Sequence, residues 1–156
     1  MSTGNVTFRS HDAIAINDAI NVSSGNVKLV AGRASGMSTV SEGTWGNATS
    51  YKQSAININA PIRSGYTNLN GNVTLYSTGP IVQDAIGDAG IQAFHSDPLT
   101  QGNLVGITFN DGNQAATITL ENEKTSSVNP GVIGNCGTPG VAGTGNCVGP
   151  LTLETR

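Results

Sequence analysis

The sequence predicts an all-β chain wound as a parallel β-helix, a solenoid with coils of about 21 residues. Three observations predict it. Apolar residues alternate with polar ones in very short runs. The tripeptide Gly-Asn-Val recurs at Gly4, Gly25 and Gly71, with a looser copy at Gly102-Asn103-Leu104. The chain is also polar without being charged: Gly, Asn, Ser and Thr number 21, 17, 14 and 17 of 156 residues, while charged residues are 11%, against about 25% in an ordinary domain.

The strands follow in order from period two. Val6 and Phe8, Ile14 and Ile16, Ile20 and Val22, and Val27 and Leu29 are i, i+2 pairs. So are Ile56 and Ile58, Val73 and Leu75, Ile118 and Leu120, and Leu151 and Leu153. Between members of a pair sit residues such as Thr7, Asn57, Thr74 and Thr119. Such runs predict strands with one buried face, punctuated by Gly, Asn, Asp and Ser turns.

Spacing orders these strands into coils. Phe8 to Ile14 is six residues, Ile14 to Ile20 six, and Ile20 to Val27 seven. Ile56 to Ile62 and Leu75 to Ile81 are again six. Ala13–Ile20 therefore matches Ala55–Ile62, with insertions at Arg33–Ser54 and near Tyr66–Asn70. Each strand is expected to stack on its equivalent about 4.8 Å away, with aliphatic ladders inside and Thr, Asn and Ser outside. A β-sandwich of antiparallel hairpins also gives short strands, but it does not require equal spacing.

The repeat weakens after about residue 90. Leu104–Asn110 and Ala116–Asn122 still read as strands, and Asp111-Gly112-Asn113 between them is a turn signal that could make a local hairpin, as a cap or an extra-helical excursion. Residues 1–124 thus form the repeat region, with the insertion at 33–54. Residues 125–156 form a Gly- and Pro-rich loop and a last strand, packed on the same domain.

Composition excludes several classes. A net charge of −3 and a pI near 5.1 argue against nucleic-acid binding, which needs a basic face. No apolar run approaches the roughly 18 residues of a membrane helix. Met1–Phe8 lacks the basic and apolar regions of a signal peptide.

The runs Gly4–Phe8, Ala13–Asn21, Gly25–Gly32 and Gly71–Ile81 resemble filamentous haemagglutinin-type exoproteins, over about residues 4–93. The resemblance implies a right-handed parallel β-helix, secreted or displayed on the surface of a Gram-negative bacterium. It implies export through the outer-membrane transporter of a two-partner system. It also implies a role as adhesin, haemagglutinin, haemolysin or stalk of a contact-dependent toxin, with a host-cell or bacterial surface glycan or protein as receptor. The family's Asn-Pro-Asn-Leu and Asn-Pro-Asn-Gly-Ile runs are not found; Asn129-Pro130 is the sole Asn-Pro. A segment of a longer shaft, or a divergent member, is expected.

Candidate sites are few. Cys136 and Cys147 lie in near-copies of Gly-Asn-Cys. In a secreted protein they read as a disulfide closing a small loop, worth on the order of 2.5–3 kcal/mol in the chain-entropy model. His11 and His95 have no ligand spacing to them, so no metal site is expected, and no cofactor. Asp12, Asp18, Asp84, Asp88, Asp97 and Asp111 are scattered and read as turn residues. No catalytic residue is expected, although β-helical polysaccharide lyases and depolymerases remain the rival class. The 33–54 insertion holds the only Trp, Trp45, with Tyr51 beside Lys52; Tyr66 stands at the smaller insertion. Trp45, Tyr51 and Tyr66 are the binding candidates, because exposed aromatics on solenoid insertions suit sugar or protein contacts. The alternative is that Trp45 covers a coil edge.

Overall fold

The computed structural model describes residues 2–34, 51–52, 54–67, 70–83, 90–93, 104–108, 117–120 and 151–155. Fifteen strands are assigned there: β1 (Ser2–Thr3), β2 (Val6–Ser10), β3 (Ile14–Ile16), β4 (Ile20–Ser24), β5 (Val27–Ala31), β6 (Arg33–Ala34), β7 (Tyr51–Lys52) and β8 (Ile56–Ile58). They continue with β9 (Ile62–Ser64), β10 (Val73–Ser77), β11 (Ile81–Gln83), β12 (Ile91–Ala93), β13 (Leu104–Thr108), β14 (Ile118–Leu120) and β15 (Leu151–Thr155).

All but β6 and β7 fall into three parallel sheets. The first holds β2, β5, β10, β13 and β15 in that order; the second β3, β8, β11 and β14; the third β1, β4, β9 and β12. From β2 to β14 the described strands of these sheets visit first, second and third sheet in turn and then return to the first; β15 follows β14 back to the first sheet with no described strand of the third between them. Each return places a strand beside the one laid down in the previous round. Parallel pairing without crossover helices needs this routing, because neighbouring parallel strands cannot be joined by a hairpin.

Register confirms the spacing. Val6 pairs with Val27 and Val27 with Val73. Ile14 pairs with Ile56 and Ile20 with Ile62, matching Ala13–Ile20 to Ala55–Ile62. Ile56 then pairs with Ile81, and Ile62 with Ile91. These rows form one core. Leu29, Ile56, Ile58, Ile62, Leu75, Ile81, Ile91 and Leu104 are all fully buried, each contributing about 1.5–3 kcal/mol of apolar transfer. Polar atoms admitted to it are paired: the buried Ser64 hydroxyl is shared between the carbonyl oxygens of Gly25 (2.8 Å) and Asn72 (3.0 Å).

The hairpin expected at Asp111-Gly112-Asn113 is a correction. β13 and β14 do not pair with each other; β13 extends the first sheet against β10, and β14 extends the second against β11. A two-strand hairpin would bury one face of each strand at most. Continuing the stack sets Leu104 on Val73 and Ile118 on Ile81. The repeat therefore persists past residue 90. It was hidden because Gly106 occupies the inward slot that Leu29 and Leu75 fill in earlier rounds. β15 continues the first sheet, Leu151 on Leu104. In the first sheet two outward positions also break the alternation, since Val30 and Ile107 are buried.

The 33–54 insertion leaves between β5 and β8. Its stem is the antiparallel pair β6–β7, Arg33 opposite Lys52 and Ala34 opposite Tyr51, outside the three sheets.

Candidate functional site

The corner entering the first sheet is built by the repeated Gly-Asn. Asn5 Oδ1 accepts from both the backbone N–H and the Nδ2 of Asn26, each at 3.0 Å. Asn26 Oδ1 accepts from the N–H (3.0 Å) and Nδ2 (2.8 Å) of Asn72. Asn is the residue that can do this, having an acceptor and two donors on one short planar group. The Gly is required too: Gly25 has φ +112°, and a Cβ there would lie 2.7 Å from the Gly4 carbonyl carbon. A second pair stands between the second and third sheets, where Asn59 Nδ2 donates to Asn17 Oδ1 at 2.9 Å.

Tyr66 follows β9 at the entry corner and is half-buried. Its N–H donates to Val22 O, and that of Thr67 to Ser23 O, both at 3.1 Å, so the third sheet's pairing runs on past the strand. Asn70 pins the same insertion back: its Oδ1 accepts from Gly25 N–H and its Nδ2 donates to Ser24 Oγ, each at 3.1 Å. Tyr51 lies on β7, in the stem that leaves the opposite corner of the first sheet. The structure thus assigns Tyr51 and Tyr66 to different corners. Trp45, Cys136 and Cys147 lie outside the described residues.

Sequence reasoning missed Arg63. It projects from the outer face of the third sheet and is half-buried. Its Nε donates to Gln92 Oε1 at 3.0 Å and one terminal nitrogen to Asn21 Oδ1 at 3.2 Å, tying three rounds together. The signal was available: a cation between the inward Ile62 and Ser64 must face outward.

A groove of about 530 Å³ opens at the first round, lined by Phe8, Arg9, Ile14, Ile16, Asp18 and Ile20 among others. Its floor is the inward residues of β2 and β3, which no earlier strand covers in either sheet. Asp18 is the one carboxylate among the described residues lining it, and a single carboxylate does not make an acid–base pair. Among the described residues no three His, Cys, Asp or Glu side chains gather as metal ligands would, and no helix is long and apolar enough to cross a membrane.

Chemically, these surfaces offer hydrogen-bonding amides, an apolar trough and the half-buried Tyr66 at the smaller insertion. No family model matches the chain, and neither a curated protein nor a solved structure does.

Proposed function

We propose that the chain is a right-handed parallel β-helix of about 21-residue coils with an extra-helical insertion, and that it works as a shaft segment of a secreted adhesin of the filamentous haemagglutinin type. The observation that carries the reading is the cyclic visiting of three parallel sheets, with an insertion leaving one corner on its own antiparallel stem. Such a stack transmits reach and rigidity along its axis, because every round is bonded to the next. Contact is then made by what projects from it. The resemblance of residues 4–93 supports the same reading and adds a bacterial surface location, a two-partner transporter, and a glycan or protein receptor on a host or bacterial cell. A Cys136–Cys147 disulfide belongs to this reading, since it needs an oxidising compartment.

The test replaces residues 35–50 by Asn-Gly, retaining the β6–β7 stem, and measures binding to arrayed glycans and to host and bacterial cells. Binding by the whole chain and its loss in the variant are expected. Unchanged binding overturns the insertion as the contact site. Release of oligosaccharides from any of these glycans overturns the adhesin in favour of a carbohydrate-active enzyme.

A further inference from the structure

We propose that Asn70 is a site of spontaneous deamidation, restrained by the entry corner, and that its conversion to isoaspartate releases the Asn ladder irreversibly. Of the 17 Asn residues, Asn70 alone precedes Gly. The reaction is attack of the following backbone nitrogen on the side-chain amide, and a following side chain obstructs it. Gly71 presents none. The ladder residues Asn5, Asn26 and Asn72 each precede Val, whose branched Cβ crowds the approach. Asn70 is also exposed, so water and hydroxide reach it. Hydroxide takes the Gly71 N–H proton and the nitrogen attacks Asn70 Cγ. The new N–Cγ bond forms, the Cγ–Nδ2 bond breaks, and Nδ2 leaves as ammonia with a proton from water. Water then opens the cyclic imide at either carbonyl, leaving aspartate or isoaspartate at position 70.

The folded corner restrains the first step. Asn70 forms a β-bridge and so has an extended backbone, which turns the Gly71 nitrogen away from Cγ. Its Oδ1 accepts from Gly25 N–H and its Nδ2 donates to Ser24 Oγ, each at 3.1 Å. Ring closure rotates the residue out of both contacts, so conversion waits on local opening of this corner. The two products then differ. Aspartate keeps the length of the side chain, and its carboxylate accepts from the Gly25 N–H and the Ser24 hydroxyl alike. Isoaspartate puts the side-chain methylene into the backbone just before Gly71. Gly71 is seated too tightly to absorb the added length: a Cβ there would lie 2.1 Å from the Ser64 carbonyl carbon. The displacement passes to the next residue, Asn72, whose N–H and Nδ2 both donate to Asn26 Oδ1.

The experiment holds the whole chain at neutral pH with and without denaturing urea. The peptide spanning residue 70 is followed by mass spectrometry, with fragmentation that separates aspartate from isoaspartate. Conversion at Asn70 is expected in both, about ten-fold slower in the folded chain because two hydrogen bonds must open first. Ser24→Ala removes the partner of Nδ2 and is expected to raise the folded rate several-fold while leaving the rate in urea unchanged. Asn70→Asp is expected to keep the urea midpoint of the unaltered chain, whereas chains carrying isoaspartate unfold at lower urea. The comparison of folded with unfolded rates needs no variant, so it decides the matter even where Ser24→Ala does not fold. No conversion at Asn70 in urea overturns the proposal. So do equal rates in the folded and unfolded chain, an unchanged folded rate in a folded Ser24→Ala, or an Asn70→Asp chain as destabilised as the isoaspartate form.

Discussion

The corner entering the first sheet and the corner leaving it are built on different plans. At the entry, Asn5, Asn26 and Asn72 sit one above another, and the amide oxygens of Asn5 and Asn26 each take two hydrogen bonds from the next round. At the departure, no ladder of side-chain amides recurs among the described residues. There the backbone carries the contact: Gly32 N–H donates to Ser10 O (2.8 Å), Thr78 N–H to Ala31 O (3.2 Å) and Ile56 N–H to Pro80 O (2.9 Å). A corner satisfied by side chains fixes residue identity. A corner satisfied by backbone fixes only shape, and it is the one that gives off the long insertion. The entry corner accepts extra residues solely ahead of its Gly-Asn, which resumes intact at Gly71-Asn72.

The largest expected effect comes from breaking the side-chain ladder. Asn26→Ala removes the Oδ1 that accepts from both Asn72 N–H and Asn72 Nδ2, and the Nδ2 donation to Asn5 Oδ1. Loss of about 2–4 kcal/mol is expected, read from the urea midpoint. Gly25→Ala comes next, at about 1–3 kcal/mol, because the added Cβ meets the Gly4 backbone at a positive φ. The smallest lies at the departing corner. Ser54 Oγ donates to His11 O at 3.2 Å, and Ser54→Ala should cost only about 0.5–1 kcal/mol. A Ser54→Ala loss as large as that of Asn26→Ala would show that the two corners are alike after all.

Much of the stack was legible in the sequence where inward positions were filled by Ile, Val or Leu. Ile14 and Ile16 against Ile56 and Ile58 could be aligned across the 33–54 insertion because both ends of the gap kept their six-residue step. The later rounds were not legible in the same way. Gly106 removes an apolar marker, and Ile118 stands opposite Ile81 after interruptions of unequal length. Asp111-Gly112-Asn113 then supplied a strong local turn signal where the winning interaction was long-range. β6 and β7 were missed since two residues each carry no alternation. β12 was missed too, its inward pair being Ile91 and the small Ala93. At the candidate sites, an aromatic in an insertion announces exposure but not which corner bears it, so Tyr51 and Tyr66 were grouped although they belong to different corners. Arg63 was passed over because its partners, Asn21 and Gln92, are distant in sequence and adjacent only after stacking.

The Asn ladder has one further consequence. The side-chain carbonyls of Asn5 and Asn26 both accept from the following round, so the amides form a chain of dipoles with a single sense along the axis, each link polarised by its neighbour. A corner is ordinarily where a fold frays. Here the backbone N–H groups of Asn26 and Asn72 are each held by a side-chain amide of the round before, so freeing either one takes an Asn side chain out of the ladder. The stack is locked at a turn, where most chains are loosest.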